Sequence, residues 1–415
     1  MKIAIIGSGI SGLTASYLLN RKHDITLFEK NDYIGGHTHT HEIENDNKTW
    51  NVDSGFIVYN ERTYPNFIKL LDILGVERQV TRMGFSVKSP SKNLEYAGHS
   101  LNGLFAQRSN LFSPSFFRML GGMKRFNKEA RKDLPSLNKN LTLGEYLLKN
   151  HYSEEFIDNY IIPIGAAIWS TKPSSMLNIP AIFFIRFFEN HGLLQILDRP
   201  KWWVIKGGSK QYVKKIISGF EKDIRLSTPV HSVIRKEKSV MIKFGVDMSE
   251  EKFDAVVLAT HSNQALSLLK QPTDKEKEIL SLLPYQRNDA VLHHDHSILP
   301  TRKSAWSSWN YLLDARKEDP VALTYNMNIL QSLNSSKTFC VTLNSSEMIN
   351  KNKIIKNLSY EHPLFTKEGV NAQKRKREIS GQNNTFYCGA YWHNGFHEDG
   401  VVSALDVCSQ FGETL

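Results

Sequence analysis

Lys2 to Ile6 is a nearly unbroken apolar run that stops at Gly7, and about Ser11 to Arg21 then places apolar residues at helical spacing. A second short apolar run, Asp24 to Glu29, follows directly. Strand, glycine turn, helix and strand in that order predict the first half of a parallel βαβ sheet. Further strands are predicted at Arg225–Ile234, Ser239–Phe244 and Ala255–Ala259. The last, within DAVVLAT, is small and β-branched throughout, as in a strand covered on both faces. Residues from about 100 to 200 carry helical patterns instead, while about 280 to 375 reads as strands at Asp289–His293, Ala305–Leu312, Val321–Met327 and Thr338–Leu343. No internal repeat or low-complexity tract interrupts the chain. The expected fold class is α/β. A nucleotide-binding domain assembled from 1–100, 200–275 and 376–415 would carry a substrate domain inserted as 101–199 and 276–375.

The 415 residues are 40% hydrophobic and 23% charged, enough for two to three units of about 150 residues each. Three cysteines without a CxxC pair argue against a disulfide framework and a structural zinc site, so a reducing cytoplasm is expected. The longest apolar stretch, Ile179 to Phe188, contains Arg186 and falls far short of the ~20 residues that span a bilayer. The N-terminus is expected to be mature structure, because a glycine pattern follows its short apolar run. A net charge of +10 favours anionic partners. Nucleic acid, anionic lipid and a phosphate-bearing cofactor would each account for it.

Gly7, Gly9 and Gly12 form GxGxxG between the first strand and helix, with Ile10 and Ser11 opening the helix. Such glycines let a backbone approach a pyrophosphate at free helix N–H groups. Glu29, 17 positions after Gly12, ends the second strand, where an acid accepts from a ribose hydroxyl. Lys30 follows it. Together these predict a dinucleotide site.

Five residues separate Glu29 from Gly35 and Gly36, and this E-x5-GG spacing resembles the second fingerprint of FAD-binding flavoproteins. Leu226–Ile234 resembles the returning strand whose Val230 backbone borders the adenine, and Gly207–Gly208 resembles the GG turn of the flavin amine oxidase superfamily. FYCGAYWHNGFHEDGVVSAL resembles that superfamily's segment closing over the flavin, with Gly389, Asp399, Gly400 and Val401 near it. GGHTHT, VDSGFIVYNERTYPN, GAAIWS, RFFENHGLL, YEHP and CGAYWHNGFHEDG are similar to a bacterial branch associated with cyclopropane fatty acid synthases and lipid methyltransferases. The resemblance implies an amine oxidase-like fold: a Rossmann-like FAD domain of the glutathione reductase type with an inserted α+β substrate domain. It also implies non-covalent FAD, a lipid acyl substrate and a lipid methyltransferase partner. His37 stands where the superfamily commonly has the arginine of GGR, and Ala390 where many members have the acid of FAGE. Ribityl contacts are therefore expected from the backbone around Asp399 and Gly400.

His37, His39 and His41 alternate, but without accompanying cysteines or carboxylates no metal site is expected. His293–His296 is expected at a solvated strand end, and Trp306, Trp309 and Tyr311 are candidates to line a pocket. Ser115 to Lys132 pairs an apolar stripe of Phe116, Phe117, Leu120, Met123 and Phe126 with Arg118, Lys124, Arg125, Lys128, Arg131 and Lys132. Either an anionic membrane surface or the protein's own core would take that stripe. No nucleic-acid partner is expected. Trp392, His393 and Phe396 are candidates for the flavin face, with Lys206 able to approach it. The leading expectation is an FAD-dependent oxidoreductase that desaturates or isomerises acyl chains of membrane lipids. Amine oxidation with H2O2 release and a non-catalytic partner of a lipid methyltransferase stand as alternatives.

Overall fold

The computed structural model describes residues 1–195, 199–313 and 321–415. β1 (Lys2–Ile6) is the centre of a five-stranded parallel sheet. β2 (Asp24–Phe28) and Ala255–Leu258 flank it, with Ile224–Arg225 and Thr385–Tyr387 at the edges. Ala255–Leu258 is buried at every position, the burial its AVVL pattern requires. α1 (Ile10–Leu19) has no charged residue and is buried everywhere except Tyr17, because it lies between the sheet and the C-terminal helix His397–Cys408. Gly400 makes that packing close: a Cβ there would sit 2.5 Å from Ile10 Cγ2.

The single strand expected over Arg225–Ile234 is two. Ile224–Arg225 joins the parallel sheet, whereas Val230–Lys236 starts an antiparallel meander with Ser239–Phe244 and Ser249–Phe253. Ser227, at φ 49, turns the chain between them, and Pro229 has no N–H for a ladder.

The second body is a seven-stranded sheet ordered Ile354–Pro363, Tyr285–His293, Cys340–Leu343, Leu323–Asn326, Trp309–Leu312, Phe85–Ser89 and Leu94–Ala97. Residues 85–97, expected in the nucleotide-binding domain, belong here. Phe85 pairs opposite Trp309 in parallel, and Val87 is buried in one core with Tyr311 and Leu323. Helices including Pro114–Asp133, Ile162–Trp169 and Ala181–Asn190 pack on this sheet through the same core. A π turn, Ile157–Ile161, runs into Ile162–Trp169, where Pro163 cannot donate to a normal helical ladder.

Of the expected stripe, Phe116 and Phe126 are buried and Leu120 and Met123 pack half-buried against the same core, which also takes Met119; Phe126 packs against Phe156 at 5.6 Å. The helix cannot lay that face on a bilayer. Gly122 is needed because a Cβ would meet the Phe156 ring at 2.7 Å. Phe117 stays outside at 49% exposure, near exposed Phe112 and Leu111. Several of the basic residues are engaged, Arg118 with Glu155, Arg125 over the Tyr152 ring at 4.0 Å and Arg131 with Glu189. No helix among the described residues is long and apolar enough to cross a membrane.

Candidate active site

The glycines of the first turn serve different ends. Gly7 adopts φ +102 with Ala259 O only 2.8 Å from a would-be Cβ, and a Cβ on Gly12 would lie 1.9 Å from Gly7 O. The protein's own packing demands both. Gly9 has φ −66 and ψ 176, which any residue can adopt, and a Cβ there would meet nothing within 4 Å. Its missing side chain leaves open the floor of a cleft at the N-terminus of α1, where N–H groups and the helix dipole favour an anion. Gly36 forms the facing wall, its Cβ position 3.2 Å from Gly9 Cα.

Glu29 is buried at the end of β2. Its carboxylate accepts from Ser8 N–H at 3.0 Å, the Ser8 hydroxyl at 2.7 Å and Asn31 N–H at 2.9 Å. A carboxylate has about four acceptor sites, so room for a ribose hydroxyl remains. The cleft, about 660 Å³, runs from Glu29, Lys30 and Val230 past Gly7, Gly9, Ile10, Ser11, Gly35 and Gly36 to His37 and Gly389. Acid, helix N-terminus and glycine floor in that order fit a dinucleotide.

At its far end the cleft meets an apolar cavity of about 510 Å³, and His37, Phe56, Tyr360, His362, Pro363 and Gly395 line both. The strand Ile354–Pro363, paired with Tyr285–His293, delivers Tyr360 to Pro363 to this junction. His37 Nε2–H donates to Glu361 O at 3.0 Å, which leaves Nδ1 of the neutral ring as an acceptor. Burial, and then the neighbouring His261, push His37 down to about 3. Burial likewise holds His261, His362 and His397 at about 3, so all four rings are neutral at pH 7. Trp169, Phe187 and Trp309 are among the rings that wall the cavity, and no Asp or Glu among the described residues lines it.

A third, polar recess of about 560 Å³ is lined by Arg62, Glu189, Glu398 and Asp399 and shares Tyr64, His191, Asn394 and Phe396 with the apolar cavity. Asp399 accepts from Phe396 N–H at 2.8 Å, and burial raises its carboxyl to about 7.

The structure therefore moves several sequence candidates. Asp399 lines the polar recess, and Gly400 and Val401 pack on the α1 side, so these three do not line the dinucleotide cleft, whereas Gly389 and Ala390 do. Phe396 lines the apolar cavity. Trp392 and His393 line neither, because the turn at Ala390–Trp392 buries Trp392 in a separate core cluster and sets it near Lys376. Lys206 is exposed and paired with Glu77 at 2.7 Å, away from the junction. Of the three aromatic candidates Trp309 lines the cavity, Tyr311 is core, and Trp306 donates to Pro300 O at 2.8 Å. The His293 cluster is a solvated strand end only in part: His294 is half-buried and His296 exposed, but His293 is fully buried against Thr342, and Asp295 is buried with Lys353 at 3.1 Å. His39 and His41 lie 4.1 Å apart with their rings tilted by 43°, while His37 turns into the cleft. Phe56, Tyr360, His362, Gly395 and His397 had no role assigned from sequence. The segments VDSGFIVYN, YEHP and CGAYWHNGFHEDG contain them, and those matches were the available signal.

A dinucleotide cleft ending in an apolar cavity, on this pair of sheets, sets a dinucleotide site end-on to a site for an apolar ligand. Residues 10–312 match the family described as flavin containing amine oxidoreductase, and the chain belongs to that family of FAD-dependent enzymes. It is 22% identical over 290 residues to coproporphyrinogen III oxidase of Staphylococcus aureus, covering 62% of this chain and 60% of that enzyme. A CLA-producing fatty acid isomerase from P. acnes shares the fold at TM-score 0.71 and 16% identity, covering 99% of this chain and 98% of that one. A putrescine oxidase bound to putrescine does so at TM-score 0.70 and 13% identity, with 99% of each chain covered.

Proposed function

We propose that this FAD-dependent oxidoreductase acts on long apolar chains, desaturating or isomerising the acyl groups of membrane lipids. One fold carries both a fatty acid isomerase and a putrescine oxidase, so the lining of the cavity decides between such substrates. The observation that carries the reading is the absence of any carboxylate among the described lining residues, where the walls are aromatic and aliphatic and the histidines neutral. A protonated amine would find no counter-charge there, and burying an unpaired charge is costly. An alkyl chain gains from the same surface, at about 25 cal/mol per Å² removed from water.

Glu29, the N-terminus of α1 and the glycines of the cleft would hold FAD, which would supply a hydride acceptor when bound. The chain's own residues keep water out and hold the acyl carbons against that end of the cleft. Isomerisation moves a hydrogen and a double bond within one chain and would need no further oxidant or reductant. Desaturation releases one hydrogen as hydride and one as a proton, and requires a two-electron acceptor of the dioxygen or quinone class. Exposed Leu111 and Phe112 just before the basic helix, and Phe117 within it, support docking on an anionic membrane surface. The partnership with a lipid methyltransferase rests on the resemblance of the sequence motifs, and co-purification tests it.

The deciding experiment is anaerobic titration of the purified yellow protein with unsaturated fatty acids, phospholipids and a panel of amines. Mass spectrometry of membrane lipids with and without the protein accompanies it. Altered double bonds in the lipids, with no flavin bleaching by amines, is the expected result. Bleaching by amines with unchanged lipids would overturn the reading.

A further inference from the structure

The apolar cavity has a polarity along its length. Its two charged lining side chains among the described residues, Arg199 and Lys201, are both exposed and therefore sit at its rim. The other described lining side chains carry no charge: they are aromatic, aliphatic, thioether, hydroxyl or neutral imidazole, with the amide of Asn394. The Arg199 charge is felt inside: burial pushes the Tyr160 phenol up to about 12 while Arg199 pulls it down, and Tyr160 lines the cavity. Arg199 Nε–H donates to Gln195 O at 2.8 Å, which fixes one edge of the guanidinium and leaves the terminal nitrogens to other acceptors. A guanidinium offers paired N–H donors that match the two oxygens of a carboxylate or phosphate, and an ammonium beside it adds a point charge.

Resting on the reading of the cavity as an acyl site, we propose that Arg199 and Lys201 bind the anionic terminus of the substrate chain, a carboxylate or a headgroup phosphate. The head stays at the rim because an anion deeper in the cavity would be desolvated without a partner. The tail runs inward past Trp169 and Trp309 to the junction at His37 and Gly395. The carbon that reaches the junction is then set by its distance from the head, so the position of reaction is counted from the anionic end.

The test measures binding to the FAD-loaded protein by quenching of intrinsic tryptophan fluorescence, since Trp169, Trp202 and Trp309 line the cavity. The probes are oleate, methyl oleate and vesicles of dioleoyl phosphatidylglycerol or dioleoyl phosphatidylcholine. Either the free acid binds at least tenfold tighter than its ester, or the phosphatidylglycerol vesicles bind at least tenfold tighter than the phosphatidylcholine ones. The first result assigns a carboxylate to the rim, and the second a headgroup phosphate whose charge no neighbouring cation neutralises. In Arg199→Gln/Lys201→Gln the preference collapses toward one, while the affinity for methyl oleate and the FAD content stay at wild-type values. A preference that survives the double substitution, or equal binding of charged and uncharged probes to the wild type, overturns the head site. If methyl oleate fails to bind at all, it is the acyl reading that fails.

Discussion

The dinucleotide cleft and the apolar cavity meet at six residues yet are built on opposite principles. The cleft is made of backbone. Gly7, Gly9, Gly12, Gly35 and Gly36 shape it, and Glu29 is locked by donors from Ser8 and Asn31. The cavity is made of side chains, with rings drawn from residues as far apart as Phe56, Trp169, Trp309 and Phe396. A backbone site has little freedom to vary, and a side-chain site can be refitted by single substitutions. One half of the molecule thus reads as fixed chemistry and the other as adjustable choice.

The sharpest separation comes from the first turn. Gly12→Val should yield no folded protein, because even a Cβ would lie 1.9 Å from a backbone oxygen. Gly9→Val should fold with unchanged melting temperature but retain no FAD, read by flavin absorbance after gel filtration. Unfolded Gly9→Val, or folded Gly12→Val, would erase the distinction between packing glycines and a ligand glycine.

On the cavity side, Phe184 is fully buried and stacked on Phe188 at 4.2 Å. Phe184→Ala should cost about 3–5 kcal/mol in denaturant unfolding. Its FAD affinity should match wild type in the folded fraction, since the lost contacts belong to the other body.

Acid should probe the junction itself. His37, His261, His362 and His397 sit at about 3 in the folded protein and near 6.5 once unfolded, so the unfolded chain binds more protons between those values. Stability is then fully present above about 6.5 and lost as pH falls, with each ring contributing at most about 1.4 kcal/mol per pH unit. Asp399, raised to about 7, works in the opposite sense and loses its contribution as pH rises from about 4 to 7. Urea midpoints from pH 7 to 4 should fall, more steeply in Asp399→Asn, which removes the opposing term. A flat wild-type profile would show that the four rings titrate normally.

The smallest effect belongs to the outer surface. Replacing Leu111, Phe112 and Phe117 by Ser should reduce co-sedimentation with anionic vesicles at low salt and leave FAD content and stability within about 0.5 kcal/mol. Unchanged sedimentation would remove the membrane from the reading.

The same contrast explains what could be seen without coordinates. The cleft is written locally: Gly7 to Gly12 lie in one turn, Glu29 ends the next strand, and Gly35 and Gly36 follow within a few residues. The returning strand points to Val230, but Ser227, Thr228 and Pro229 mark the break that a single strand over Arg225–Ile234 passes over. The cavity wall depends on which face of each ring points inward, and period alone does not decide that. Trp309 and Trp306 are three positions apart, yet one lines the cavity and the other caps Pro300. Trp392 and Phe396 part in the same way, because a single tight turn rotates one of them into a core. The basic helix showed its amphipathic stripe clearly, but a stripe alone does not say whether protein or lipid covers it.

One layer of side chains, Tyr64, His191, Asn394 and Phe396, is shared by the apolar cavity and the polar recess behind it. Each of these four side chains therefore has an apolar side and a polar side to satisfy at once. A substitution that retunes one space cannot leave the other as it was, so the two are coupled in what sequence change they tolerate.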